Sequence, residues 1–175
     1  MNKFRSIEFY FDCSSPWTYL AFTEILPLSQ RQNIQIIWKP VLVGGIFNSV
    51  NNDVYEFRKN PNPLKLKYTN NDLELWAKLR SISISMPKIF PVNSVKAMRG
   101  CLFADKENCL PIFAKEVFNA YWGSGLDISE ESIIMKVAET TGLPLAEFKQ
   151  YIDSKEAKDL LISNSTELIN KGGFG

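Results

Sequence analysis

The sequence contains no histidine among its 175 residues. A Ser-His-Asp or Cys-His nucleophile system therefore cannot form, and neither can a metal site that depends on histidine. The commonest general base near neutral pH is absent as well. Any catalysis by this chain must use other chemical groups, and we expect no metal site.

Cysteine is also scarce, because Cys13, Cys101 and Cys109 are the only three and form no Cys-x-x-Cys pair. Disulfide exchange with turnover needs two positioned thiols, so a dithiol oxidoreductase is not expected. Few cysteines without a pairing pattern are typical of a reducing compartment. We expect Cys101 and Cys109 to be buried as small apolar side chains. A redox role for Cys13 stays open, since this residue lies two positions before Ser15.

The sequence has no long apolar run and no cluster of basic residues. No stretch approaches the ~20 apolar residues needed to span a membrane, and residues 1–5 are too short and polar for a signal peptide. The net charge is +1, and Lys59, Lys65 and Lys67 are spread among prolines in what resembles a solvated loop. We therefore expect one cytoplasmic domain that binds neither membranes nor nucleic acid.

What the sequence does have is a hydroxyl group at the junction of a strand and a helix. The alternating run from Ile7 to Asp12 predicts a strand, and residues 17–31 carry apolar side chains at helical spacing. Ser15 is a favoured helix cap, and Pro16 suits the first helical turn. Free backbone N–H groups at such a junction attract an anion and favour a thiolate over a thiol.

In thioredoxin-like redox enzymes the same junction carries Cys-x-x-Cys, whereas here Ser15 and Thr18 occupy the two sulfur positions. The sequence therefore predicts the backbone geometry of a thiol site, but the protein provides no thiol at either position. A ligand would then supply the sulfur, and glutathione is the obvious candidate. The simpler interpretation is that Ser15 only caps the helix, and the two roles are compatible.

A second strand is predicted at residues 34–38, after the first helix. A right-handed crossover would make the two strands parallel. Pro27 inside the helix should kink or end it near Leu26, because proline lacks an N–H group and clashes with the preceding turn.

The remainder of the chain predicts a loop followed by helices. Gly44-Gly45 should end the regular structure, and residues 48–67 are rich in asparagine and proline, which predicts a long loop. From residue 70 the apolar spacing predicts roughly five helices, with Ser94 as the cap of one of them. A last helix should begin at Asp153 or Ser154 and run to about residue 170.

Five blocks of the sequence, in the same order along the chain, together form a signature: residues 9–21, 38–47, 68–77, 90–100 and 121–128. Through them nearly the whole chain resembles the 2-hydroxychromene-2-carboxylate isomerases and the related kappa-class glutathione transferases. These are glutathione-using members of the DsbA-like thioredoxin group. The resemblance implies an α/β fold in which a thioredoxin-like β-α-β core is split by a large all-helical insertion.

The resemblance also implies a division of the chain. Residues 1–42 would form the β-α-β part, residues 43–150 the helical insertion, and residues 151–175 a helix that returns to the core. In the family a cis-proline, two strands and a final helix follow the position of Gly175, so we expect these elements to be missing and glutathione binding to be weak. An open strand edge would then invite pairing with a second copy, which favours a homodimer.

The implied activity is that of a glutathione-dependent isomerase. The glutathione thiolate would add to an electrophilic carbon of a small unsaturated substrate derived from an aromatic compound, and bond rotation and loss of the thiol would follow. By resemblance, Ser15 is the catalytic residue that donates a hydrogen bond to the sulfur, and Trp17 covers the bound glutathione. Asn48 and Asn93 would contact polar groups of the substrate. Many relatives have lysine where this chain has Asn48, so a positive charge toward the substrate is lost there.

Several alternatives remain open at this point. An aromatic residue at the spacing of Trp17 is more often part of the core, and Asn93 is also consistent with a turn at the start of a helix. Retention of the thiol adduct would make the protein a kappa-type glutathione transferase. A truncated inactive member, or an interaction protein that uses its helical surface, is a further alternative. A DsbA-type disulfide oxidoreductase is disfavoured by the absence of Cys-x-x-Cys.

Overall fold

The computed structural model describes residues 5–175, so residues 1–4 of the expected first segment lie outside the described range. Two strands and nine α-helices are found in this range, together with one turn of π-helix. The elements are β1 (Arg5–Phe11), α1 (Pro16–Gln32), β2 (Ile34–Pro40), α2 (Val43–Val50), α3 (Asp53–Lys59), α4 (Pro63–Leu79), α5 (Val95–Lys106), α6 (Leu110–Phe118), the π turn (Asn119–Gly123), α7 (Glu131–Thr140), α8 (Leu145–Ile152) and α9 (Lys155–Asn170).

The first two strands and the helix between them form the expected parallel β-α-β unit. β1 pairs with β2 from Arg5 opposite Ile34 to Phe11 opposite Pro40. An aromatic cluster fills the space between the sheet and α1, with neighbouring ring centroids 5.5–6.3 Å apart. Its members are Phe9, Phe11, Phe22 and Trp38. The predicted parallel strands are therefore confirmed, and this cluster holds the strand-to-helix junction against the sheet.

Of the two effects expected of Pro27, a kink or an end of the helix near Leu26, the second does not occur. α1 continues through Pro27 to Gln32 and ends at Asn33, whose left-handed backbone conformation (φ 50°) closes the last turn. A proline removes one hydrogen bond from the ladder. Burial of Phe22 and Ile25 against the core, and the closed C-terminal turn, outweigh that single loss.

The predicted loop at residues 48–67 is also wrong, because most of this segment is helical. α2 passes through Gly44 and Gly45 and buries Ile46, and it packs against α9. Asn62 caps α4 by accepting hydrogen bonds from the backbone N–H groups of its first turn, at 3.0 and 3.3 Å. Pro63 occupies the first helical position, where its missing N–H is harmless. The asparagine and proline residues of this segment thus separate α2, α3 and α4.

The three lysines assigned to a solvated loop are consequently helical. Lys59 is the last residue of α3, and Lys65 and Lys67 lie in α4. All three are exposed, so their solvation is as expected although their backbone structure is not.

In the helical part α5 lies at the centre of α6, α7, α8 and α9, and the core between them is continuous with that of the β-α-β unit. Gly100 allows the close approach of these helices, since a Cβ atom at this position would lie 2.7 Å from the ring of Phe113. Cys101 is buried in this core as expected, whereas Cys109 is only partly buried. None of the helices in residues 5–175 combines the length and the apolar character that crossing a bilayer requires.

The last helix returns to the sheet and closes the molecule around the junction. Ser154 caps α9 by accepting a hydrogen bond from the Ala157 N–H at 3.1 Å, as predicted. Further along α9, the buried Asn164 side chain donates to the carbonyl of Pro40 at 3.0 Å. The end of β2, which leads into α2, is therefore fixed by α9.

Candidate active site

Ser15 lies at the N-terminus of α1, immediately after the turn that leaves β1. Its backbone is extended (φ −104°, ψ 123°), and its Oγ accepts a hydrogen bond from the Thr18 N–H at 3.3 Å. The Ser15 N–H donates to the Asp12 carbonyl at 3.1 Å, which closes the turn. Ser15 is therefore a helix cap, as predicted, and its side chain is only partly buried.

Two hydrogen-bond donors remain unused at this helix start. Pro16 has no N–H group, and the Thr18 N–H is already bonded to Ser15. Within residues 5–175, neither the hydroxyl proton of Ser15 nor the backbone N–H of Trp17 has an acceptor. A hydroxyl and an amide at the positive end of a helix dipole suit a sulfur anion, so the residues present fit the thiolate of glutathione.

A buried carboxylate, Asp12, joins the three segments that carry the expected site residues. Its Oδ1 accepts a hydrogen bond from the Ser14 N–H at 2.9 Å, directly before Ser15. Its Oδ2 accepts from the Val43 N–H at 2.9 Å, at the start of α2, and from the Ser94 hydroxyl at 3.1 Å, at the start of α5. One side chain thus holds together the starts of α1, α2 and α5.

The charge state of Asp12 reflects two opposing effects. Burial raises the pKa of this carboxyl above its ordinary value of 3.8, because removal from water disfavours the charged form. The hydrogen bonds from Ser14, Val43 and Ser94 act in the opposite direction. Sequence analysis did not identify Asp12 as a site residue. A charged residue at the end of an apolar strand is the signal that would have drawn attention to it.

Asn48 and Asn93, the two expected substrate-binding residues, lie on segments that Asp12 connects. Asn48 is exposed on α2, and its Oδ1 accepts a hydrogen bond from the Tyr55 hydroxyl at 2.7 Å. Asn93 is exposed before α5, and its Oδ1 accepts from the Val95 N–H at 3.1 Å. Asn93 therefore stabilises the turn at the start of α5, which was the alternative to a role in substrate binding. In both residues the amide NH₂ group has no acceptor within residues 5–175 and remains as a donor for oxygen atoms of a ligand.

Arg58 adds a positive charge between these two segments, and sequence analysis did not identify it. Its guanidinium carbon lies 5.4 Å from the ring centroids of both Phe47 and Phe90, which belong to α2 and to the segment before α5. Arg58 has no carboxylate partner within residues 5–175. A cation held by two aromatic rings and not neutralised is suited to binding an anion.

Trp17 is not a core residue, since 42% of its surface is exposed. It lines a shallow depression of about 220 Å³ together with Trp76 and Arg80 of the α4 segment. A larger cavity of about 970 Å³ lies between α1, the turn at residues 80–83 and α6. That cavity contains neither Ser15 nor Trp17 nor the two asparagines, so volume alone does not identify the site.

Cys13 is directed into the core and not toward the helix start. Its side chain is fully buried, and burial raises the pKa of its thiol well above the ordinary value of 9.0. Its backbone N–H donates to the sulfur of Met98 at 3.3 Å, and its carbonyl accepts from the Trp122 indole at 2.9 Å. These features argue against the redox role that the sequence left open. Residues 5–175 contain no cluster of acidic or sulfur ligands that would hold a metal ion.

The chain is similar in sequence to a known protein family and to named relatives. A family model described as the DSBA-like thioredoxin domain matches residues 6–175. The 2-hydroxychromene-2-carboxylate isomerase of Pseudomonas putida is 28% identical over 171 residues, which cover 97% of this chain and 81% of the relative. Glutathione S-transferase kappa 1 of Homo sapiens is 27% identical over 183 residues, covering 98% of this chain and 78% of the relative.

Solved structures show the same similarity in three dimensions. A structure of 2-hydroxychromene-2-carboxylate isomerase aligns with a TM-score of 0.79 at 26% identity, covering 97% of this chain and 82% of the other. The similarity therefore extends over almost the whole chain.

Proposed function

Because this chain belongs to the DSBA-like thioredoxin domain family, we propose that it is a glutathione-dependent isomerase that acts in the cytoplasm on a small unsaturated substrate derived from an aromatic compound. The expected DsbA-like thioredoxin fold is confirmed by the family match and by the solved relative. The names of the relatives support an isomerase or a glutathione transferase. The unpaired cysteines support a reducing compartment.

Glutathione, when bound, would supply a thiolate nucleophile that adds reversibly to an electrophilic carbon of the substrate. Ser15 would stabilise the sulfur anion by donating a hydrogen bond from its hydroxyl group. The backbone N–H of Trp17 would donate a second hydrogen bond to the sulfur. The exposed Trp17 ring would cover one side of the bound tripeptide. These roles need no histidine and no protein thiol, which agrees with the composition.

The substrate would lie against the segments of Asn48 and Asn93. Their free amide NH₂ groups would donate hydrogen bonds to carboxylate or keto oxygens. Arg58 would supply the positive charge that Asn48 does not provide. An anionic, oxygen-rich and partly aromatic substrate is therefore the class that this surface favours.

The observation that carries the proposal is the set of three hydrogen bonds at Asp12. A buried carboxylate requires partners, and here the partners come from the residues next to Ser15, at the start of α2, and next to Asn93. This arrangement fixes the start of α1, which would bind the thiolate, relative to the starts of α2 and α5, beside which the substrate would lie. Such fixed geometry is what a two-reactant site needs.

The direct test is an assay with 2-hydroxychromene-2-carboxylate, the compound after which the isomerase relatives are named. The absorbance of the substrate is followed with enzyme alone, with glutathione alone and with both. We expect isomerisation above the uncatalysed rate only when enzyme and glutathione are both present. Equal rates with and without glutathione would contradict glutathione dependence.

A kappa-type transferase is the second candidate, because the similarity to the human transferase covers 98% of this chain. Mass analysis of the products distinguishes the two activities. An isomer has the mass of the substrate, whereas a conjugate has gained one glutathione. If calorimetry detects no glutathione binding at all, the alternative of an inactive or interaction protein is favoured.

A further inference from the structure

The cavity of about 970 Å³ between α1, the turn at residues 80–83 and α6 lies apart from the proposed active site. Its volume is near the upper end of the roughly 300–1,000 Å³ that is typical of small-molecule sites. The apolar side chains that line it are Phe22, Leu26, Pro27, Ile82 and Pro111. The cavity therefore suits a ligand with a large apolar body.

The backbone of α1 gives this cavity a hydrogen-bond acceptor. Pro27 lies inside the helix and has no N–H group, so the carbonyl of Thr23, four residues earlier, lacks its usual helical donor. Thr23 and Pro27 both line the cavity, and the Thr23 hydroxyl donates to the carbonyl of Leu20 at 2.7 Å. The Thr23 carbonyl can therefore accept a hydrogen bond from an N–H group of a ligand.

Polar side chains from α1 and from the π turn also line the cavity. The Tyr19 hydroxyl donates to Oδ1 of Asn119 at 2.6 Å, and the amide NH₂ group of Asn119 has no acceptor in the described part of the chain. Burial and, to a smaller extent, the charge of Glu116 raise the pKa of Tyr19 above its ordinary value of 10.0. The carboxylate of Glu116 therefore lies near this hydrogen-bonded pair.

Two opposite charges at the cavity have no partner in the protein. Neither the exposed Lys115 nor the half-buried Glu116 forms an ion pair within residues 5–175. Arg80, which also lines the cavity, is already paired with Glu24 at 2.7 Å. A ligand that neutralises both free charges must carry one ammonium group and one carboxylate.

We propose that this cavity binds a short zwitterionic peptide with apolar side chains. Glu116 and the Thr23 carbonyl accept hydrogen bonds from its terminal ammonium group, and Lys115 pairs with its terminal carboxylate. The amide NH₂ group of Asn119 donates to a carbonyl of the peptide. A wholly anionic ligand, the class favoured at the proposed active site, would instead face the uncompensated charge of Glu116. Because the cavity does not include Ser15, the proposal does not depend on the proposed enzymatic function.

The test is isothermal titration calorimetry of the full chain with the dipeptide leucyl-phenylalanine. We expect the free dipeptide to bind. N-acetylation or C-terminal amidation should each weaken binding about tenfold, because each removes one charge-assisted hydrogen bond. Saturation with glutathione should leave the dissociation constant of the dipeptide unchanged, since the two ligands occupy different sites.

Variants of the two free charges identify the site. Glu116→Gln should weaken binding of the free dipeptide about tenfold, and N-acetylation should then have little further effect. Lys115→Gln should behave in the same way toward C-terminal amidation. The matched controls are Glu139→Gln and Lys136→Gln, which remove the same charges from exposed residues of α7 that do not line the cavity. Both controls should bind the dipeptide as the wild type does.

A wild-type chain that does not bind leucyl-phenylalanine at millimolar concentration would overturn the proposal. Equal binding of the free and the capped dipeptides would overturn it as well, and so would wild-type binding by Glu116→Gln. Displacement of the dipeptide by glutathione would assign it to the thiolate site and not to this cavity. A chain that binds the dipeptide with these dependences but does not bind glutathione would support the peptide site and contradict the proposed enzymatic function.

Discussion

Asp12 accepts hydrogen bonds from three separate segments, so a change of this one residue should affect both stability and the site. In Asp12→Asn one acceptor oxygen is replaced by an NH₂ group, and buried donors lose their partner. We expect the free energy of unfolding to fall by about 1–3 kcal/mol, measured by urea denaturation. Glutathione binding should weaken at the same time.

Asp127→Asn is a suitable control for this change. In the part of the chain that the structure describes, Asp127 uses only its Oδ1, which accepts from the Ser129 N–H and hydroxyl, so asparagine can keep both bonds. The control should retain nearly wild-type stability. If Asp12→Asn is as stable as the control, the role assigned to Asp12 is wrong.

Arg58 is a second residue whose role can be isolated. Arg58→Gln removes the cation between Phe47 and Phe90, and we expect KM for an anionic substrate to rise roughly tenfold to a hundredfold with little change in kcat. Lys59→Gln removes the same charge from the neighbouring residue, which already pairs with Glu56 at 2.8 Å. Equal KM values in the two variants would show that Arg58 does not contact the substrate.

The sequence predicts the roles of some site residues and not of others. Ser15 was predictable as a cap, because its role depends on its neighbours in the chain. Asp12 and Arg58 act through partners that are distant in sequence, such as Ser94 and Phe90, so no local pattern indicates them. The roles of Trp17, Asn48 and Asn93 toward ligands remain predictions.

Helices and strands were predicted best where the apolar spacing was regular. β1, β2, α5 and α9 occur where the pattern places them. Residues 48–67 were predicted to form a loop and are mostly helical, because asparagine and proline can either break a helix or begin one. Only the contacts of Ile46 with the core and the cap at Asn62 decide between these roles.

The attachment of α9 to the sheet gives a prediction about pH. Glu167 bonds to Lys171 at 2.7 Å, to Lys39 at 2.8 Å and to the Tyr10 hydroxyl at 2.9 Å. These partners lower the pKa of Glu167 from 4.5 to about 2. A lowered pKa stabilises the folded state above the ordinary value, and this stabilisation disappears as the pH falls from about 4.5 to about 2.

Glu167→Gln should therefore be less stable than the wild type at neutral pH, and the two curves of stability against pH should converge toward pH 2. Thermal unfolding across this range measures the effect. Glu156→Gln on the same helix removes one exposed pair with Lys106 and should change stability less. Parallel curves for Glu167→Gln and the wild type would contradict the attachment of α9 by this network.

At the scale of the whole molecule, the fold was predictable because several separate blocks of sequence agreed. The β-α-β order and the hydroxyls in place of Cys-x-x-Cys favoured a thiol site whose sulfur comes from a ligand, and the absence of histidine excluded histidine-dependent catalysis. The division at residues 42 and 150 remains a prediction. The exposure of Leu64 and Tyr68 on α4 could not be predicted from the sequence, because it depends on which side of the helix packs against α1.

The measurement that tests the account most directly is the pKa of glutathione bound to the protein, followed by thiolate absorbance during a pH titration. The wild type should lower this pKa below that of free glutathione. Ser15→Ala should raise it again by about one to two pH units, because one hydrogen bond to the sulfur anion is lost. Ser154→Ala removes an equivalent cap from α9, with a similar loss of about 1 kcal/mol in stability, and should leave the pKa unchanged. An identical pKa in the wild type and in Ser15→Ala, or no thiolate signal in the wild type, would contradict the account.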